Sequence, residues 1–221
     1  MTCLIIHPTR GRGHAYFEAA AHRIGDVLAS EPNGSTILQA DTGRELLGAV
    51  REHDHLDRLV ICCHGGTKWL VNSRRGLRVD RCEAQELGRA FGDRSPPGAL
   101  LGLAACWCGG NPGMIPRQWF PSAYGDGGDM SFAAVVRDYS GREVRAHVGK
   151  GDTTENPRLR IFERDQPGQP GRGVMQSSGM GDPDGWLKGK AARRRWQQFC
   201  DKEHVSGYSC NAEAIIAGDL F

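Results

Sequence analysis

Two apolar runs in this chain each end on a reactive side chain. The first is Arg58-Leu59-Val60-Ile61-Cys62-Cys63-His64-Gly65-Gly66. The second is Gly98-Ala99-Leu100-Leu101-Gly102-Leu103-Ala104-Ala105-Cys106-Trp107. An imidazole and a thiol at the ends of adjacent parallel strands would lie side by side at the carboxyl edge of a sheet. That edge is where open α/β sheets place their active sites. A thiol is only a few per cent ionised at neutral pH, and a neighbouring imidazole raises the reactive fraction. The same imidazole can later protonate a leaving amine. The pair therefore points to a cysteine nucleophile, Cys106, with a histidine base, His64. Acyl transfer also needs donors for the developing oxyanion. Gly65 suits that role because its backbone turns with no side chain in the way. The amide of Cys106 is the second candidate donor.

The surrounding elements fit such a sheet. Thr2 to His7 reads as a strand, and Pro8 to Gly13 as a Gly/Arg turn. His14 to Ala29 carries Phe17, Ala20, Ile24 and Leu28 at helical spacing. Ser35 to Ala40 is a second strand. Thr42 to His53 is a second helix, with Thr42 and Glu45 forming a capping box. Arg58 to Cys63 is the third strand. Val79 to Phe91 is helical with Asp80 as a cap, and Ala99 to Ala105 is the fourth strand. This alternation predicts a mostly parallel sheet with helices on both faces. After the loop-rich stretch Trp107 to Asp129, Met130 to Tyr139 reads as a helix. Glu143 to Val148 and Arg158 to Phe162 read as two further strands. Gln166 to Gly185 reads as a linker or excursion. Trp186 to Glu203 reads as a basic helix and Cys210 to Ala217 as a short terminal one.

Hydrophobic strand, His-Gly, helix, hydrophobic strand, Ala-Cys: this order resembles the caspase-like cysteine peptidases of clan CD. That superfamily includes caspases, metacaspases, legumains, gingipains, separases, and bacterial autoprocessing and CHAT-type domains. The resemblance covers residues 1–165 and is specific at the two motifs. It implies an α/β three-layer sandwich around a six-stranded, mostly parallel sheet, followed by a C-terminal extension, 166–221. It implies that His64 is general base and acid, that Gly65 helps form the oxyanion hole, and that Cys106 is the nucleophile. It implies a cysteine endopeptidase of the bacterial type that cuts a protein or peptide substrate, in some members itself. The chemistry requires no cofactor. One departure is Trp107-Cys108-Gly109-Gly110 after the nucleophile, where caspases and metacaspases carry Arg-Gly or Ser-Gly.

Specificity calls for a pocket charged opposite to the target. Arg10 and Arg12 follow the first strand, where caspases place an arginine that grips an acidic side chain. Asp126 and Asp129 could instead grip a basic residue, although Gly-flanked aspartates are ordinary turn formers. Trp69, Trp107 and Trp119 could wall an apolar pocket, although loop tryptophans commonly anchor loops. The run Thr9 to His14 resembles a phosphate-cradling turn but lacks the GxGxxG pattern.

Composition bounds the rest. The chain has 221 residues, a formal net charge of +2 and 39% hydrophobic residues. That describes one globular domain with an extension. The charge is too small to indicate nucleic acid. No apolar run reaches the roughly 20 residues of a membrane span. The N-terminus lacks a signal peptide's basic start, so the cytoplasm is expected, with export without a cleaved signal left open. The eight cysteines are expected to be thiols in that compartment, and Cys3, Cys62 and Cys63 to be buried packing residues. Lys188 to Arg195 is a basic segment suited to an acidic or phosphorylated regulator, or to solvent alone. Two other readings stand beside the peptidase. One is a catalytically silent caspase-like scaffold. The other is a zinc site drawn from Cys62, Cys63, His64, Cys106 and Cys108. The spacing argues against zinc, because consecutive strand residues point to opposite faces.

Overall fold

The computed structural model describes residues 2–11, 13–29, 34–66, 69–71, 77–105, 108–110, 131–147, 159–167 and 172–174. Strands β1 (Cys3–His7), β2 (Ser35–Gln39), β3 (Arg58–Cys62), β7 (Leu100–Ala104), β8 (Glu143–His147) and β9 (Leu159–Phe162) are the six expected from the sequence. A seventh, β10 (Arg172–Val174), joins the edge, and the sheet order is β10-β9-β8-β7-β3-β1-β2. The pairs from β2 to β8 are parallel. Strand β9 runs antiparallel to β8, and β10 antiparallel to β9. The protein is thus α/β with a mostly parallel sheet.

The helices are α1 (His14–Leu28), α2 (Gly43–Glu52), α3 (Arg81–Arg94) and α4 (Phe132–Ser140). Their distribution follows from strand order. Parallel crossovers are right-handed, so the helix side depends on the direction in which the chain steps across the sheet. The step from β1 to β2 goes one way. The steps from β2 to β3, β3 to β7 and β7 to β8 go the other. Accordingly, of the described helices, α1 alone lies on one face, where Phe17, Ala20, Ala21, Ile24 and Leu28 pack on Cys3, Ile5, Val60 and Cys62. Helices α2, α3 and α4 share the opposite face, over Leu4, Ile6, Leu59, Ile61, Leu101 and Leu103. The central strands β1 and β7 are buried along their whole length. That is why they read as unbroken apolar runs and not as alternating ones.

Local signals set the helix starts. Thr42 accepts from the Glu45 amide at 3.1 Å, and the Glu45 carboxylate returns to the Thr42 amide, completing the expected capping box. Asp80 and Glu83 form a second box at the start of α3. Val79 is therefore not helical. It ends a short strand, β6 (Arg78–Val79), and α3 continues to Arg94. Two glycines let α3 and α4 approach closely. A Cβ on Gly88 or Gly92 would come within 2.8 or 2.6 Å of the α4 backbone. Arg142 closes the end of α3 by donating to the carbonyls of Gly92 and Ser95 at 3.0 and 2.7 Å.

Two further points depart from the sequence reading. The segment after β3 carries a small antiparallel sheet of β4 (His64–Gly66), β5 (Trp69–Val71) and β6. The segment read as a linker from residue 166 contains β10, which extends the main sheet. The expected loop at 107–129, the basic helix at 186–203 and the terminal helix at 210–217 fall outside the described residues, three described positions of that loop excepted. Among the described residues no helix is long and apolar enough to cross a membrane.

Candidate active site

The reversal in strand order marks where sheets of this kind commonly bind ligands, before any side chain is considered. The chain leaves β1 toward α1 on one face and leaves β3 toward α3 on the other. Ligand sites in such sheets lie at the carboxyl ends of the strands where connections diverge. Here those ends carry the turn Thr9–Gly13 and the residue His64.

His64 is half-buried at the start of β4. Its ring meets the first turn of α1. The Phe17 ring packs on it in a T-shaped arrangement, with ring centroids 4.8 Å apart. A Cβ on Gly13 would lie 3.4 Å from His64 Nε2 and 3.4 Å from Phe17. Gly13 caps α1 with φ +79°, a left-handed conformation that favours glycine. Glycine at this position thus serves the turn, and the imidazole lies at contact distance from it. The sequence pointed to Phe17 as a core residue and to Gly13 as part of a turn. Their contact with His64 needed the fold, because it joins residues far apart in the chain.

Strand β7 leads toward Cys106. Strand β7 lies beside β3 in parallel, with Arg58 opposite Leu100 and Cys62 opposite Ala104. Side chains alternate between the two cores, so Ile61 and Cys63 share the α2–α3–α4 face with Leu103 and Ala105. Cys62 and Ala104 share the α1 face. Cys106 and Trp107 themselves lie outside the described residues. The chain that follows is pinned: the Cys108 carbonyl accepts from the Ala133 amide at 3.0 Å, and the Gly109 amide donates to the His147 carbonyl at 2.9 Å. Cys108, which looked anomalous beside a nucleophile, is fully buried in the larger core and acts as a packing residue.

The other cysteines separate by environment. Cys3, Cys62, Cys63 and Cys108 are buried thiols, and Cys82 is an exposed one. Burial pushes the Cys62 thiol up to about 12, against a smaller opposing pull from Arg23. Cys62 is therefore a protonated, unreactive packing group. Cys62 and Cys63 face different cores, and among the described residues no group of three or more His, Cys, Asp or Glu is placed to hold a metal ion.

Gly65, the candidate oxyanion donor, sits within β4 opposite Leu70. Arg10 is exposed on the turn after β1, with Nε 3.2 Å from the Asp41 carboxylate. Asp41 also accepts from the Thr9 amide at 2.8 Å, the Thr9 hydroxyl at 2.5 Å and the Arg10 amide at 3.0 Å. Burial pushes the Asp41 carboxyl up, but these hydrogen bonds and the Arg10 charge outweigh it and hold the group below its ordinary value. Asp41 was not singled out from the sequence. Its one local signal is its place just before the capping Thr42. Arg12, Asp126, Asp129 and Trp119 lie outside the described residues. No family model matches the chain, and no curated protein matches it.

Proposed function

We propose that the protein is a cysteine peptidase of the caspase-like kind, with Cys106 as nucleophile and His64 as its base. The observation that carries this reading is the register of β3 against β7. Cys62 stands opposite Ala104, and His64 and Cys106 each follow two positions later in the sequence. Continued in step, that pairing would bring the thiol and the imidazole together on the face occupied by α1. The first turn of α1 adds to the case. A helix start carries partial positive charge, which favours an anion such as a thiolate nearby.

The reaction follows from these roles. The Cys106 thiolate attacks the scissile carbonyl, and the amides of Gly65 and Cys106 receive the oxyanion. His64 protonates the departing amine as the peptide bond breaks, leaving an acyl-enzyme. It then takes a proton from water, whose oxygen attacks the thioester and restores the thiol.

A donor–quencher peptide library, digested by the native protein beside Cys106→Ala and His64→Ala, tests the proposal. Cleavage by the native protein and its loss in both variants is the expected result. Equal cleavage by all three would end the peptidase reading.

A further inference from the structure

We infer that Trp69 is a specificity-determining residue that receives an aromatic or large aliphatic side chain of the peptide substrate. The inference rests on the peptidase reading for the identity of the ligand, and on separate geometry for the place. Trp69 and Tyr139 are the large apolar side chains left exposed among the described residues, and Trp69 is 48% exposed. Tyr139 is partly covered, since the Arg89 guanidinium stacks over its ring at 4.6 Å. Trp69 instead lies in the small sheet that begins with His64.

Register fixes which way it faces. In β4 and β5, Gly66 stands opposite Trp69. Directly opposed residues present their side chains to one face, and residues two apart in a strand share a face. His64, two positions before Gly66, is therefore on the same face of the ribbon as the Trp69 indole. Gly66 has no side chain to separate them, and the indole lies across it. A Cβ there would be 2.8 Å from Trp69 Nε1 and 3.1 Å from Cε2. The result is an apolar shelf beginning about two residue lengths, roughly 7 Å, from the imidazole-bearing position. That is the distance from a scissile bond to a side chain one or two residues away. Gly66 is needed for the shelf to lie flat, and an indole presents a broad apolar face to an incoming ring or aliphatic chain.

The experiment uses donor–quencher octapeptides varied at each position around the cut. The native protein is expected to favour an aromatic or large aliphatic residue at one position near the cut. Trp69→Ala is expected to lower kcat/KM for those peptides about tenfold, as loss of an aromatic contact does, while peptides with glycine there change little. Trp69→Phe is expected to retain most of the preference. Gly66→Ala, which must displace the indole, is expected to reproduce the loss with Trp69 intact. A uniform loss across the library, or an unchanged profile, overturns the inference. A second arm measures binding of the same peptides to Cys106→Ala, with and without Trp69→Ala, by equilibrium dialysis. Selective binding that depends on Trp69 without cleavage by the native protein would sustain the shelf and reject the peptidase. Cleavage that depends on Cys106, with binding indifferent to Trp69, would do the reverse.

Discussion

The Phe17 ring and the His64 imidazole meet in a T-shaped contact, with ring centroids 4.8 Å apart and planes at 87°. This contact couples the first turn of α1 to the residue proposed as the catalytic base. It holds the ring in one orientation, which is what proton transfer along a fixed line requires. Phe17→Leu preserves apolar volume and removes the ring. It is expected to cost about 1 kcal/mol of stability. A loosened base should lower kcat about tenfold with little change in KM. Urea denaturation and steady-state kinetics on a cleaved library peptide check the two effects.

Gly13 makes a complementary case. Any other residue there would be strained at φ +79°, although its Cβ would meet His64 and Phe17 at ordinary contact distance. Gly13→Ala is expected to destabilise the fold by about 1–3 kcal/mol. A thermal melt showing no decrease would contradict the left-handed conformation at the start of α1.

The turn after β1 depends on pH through Asp41. Its carboxyl is held below its ordinary value in the folded protein. Stability from this group is therefore present above the ordinary carboxylate range, and is lost as the pH falls through the lowered folded value. Asp41→Asn is expected to cost about 2 kcal/mol at pH 7, the scale of hydrogen bonds to a charged group. The gap from the native protein should narrow in acid. Urea midpoints at neutral and acid pH measure that difference.

Thiol labelling separates the cysteines by burial. Iodoacetamide at pH 8 is expected to modify Cys82, which is exposed, and to spare Cys3, Cys62, Cys63 and Cys108 in the folded protein. Under the proposed mechanism Cys106 should react fastest, and His64→Ala should slow it by about tenfold. Peptide mapping by mass spectrometry reads each site. Rapid modification of Cys62 would contradict a thiol pushed up to about 12.

Caps are the simplest test of the elements. Thr42→Ala removes the hydroxyl that receives the Glu45 amide, and is expected to cost about 1 kcal/mol. Far-UV circular dichroism melts would show it. A loss of that size would leave the fold intact, since α2 also buries Leu46, Leu47 and Val50.

The main sheet was legible because its central strands are buried on both faces, which leaves unbroken apolar runs such as Leu4-Ile5-Ile6. The Thr42–Glu45 capping box and the Asp80 cap were legible as local spacing, although the box that Glu83 completes was not read and Val79 was assigned to the helix that Asp80 starts. The small sheet was not foreseen. Its strands have two or three residues each, too few for any alternation to register. Strand β10 was hidden for the same reason, inside a Gly/Pro-rich stretch. At the candidate site, strand β3 leading toward His64 was legible from its apolar run, but the strand that holds His64 was not. The contacts of Gly13 and Phe17 with the His64 imidazole were not legible either, because they follow from α1 lying on one particular face. The Asp41 latch joins two turns across 31 and 32 positions, a separation no local pattern reports.

The order β8-β7-β3-β1-β2 bears on how the chain emerges during synthesis. Until residue 104 has left the ribosome, β3 has no second neighbour, and one long border of the nascent sheet is bare. That border is apolar on both sides, and its unsatisfied amides can recruit strands from other chains. A product terminated before residue 100 would carry the same border permanently. Such a fragment would behave as a seed for aggregation and not as a small independent domain.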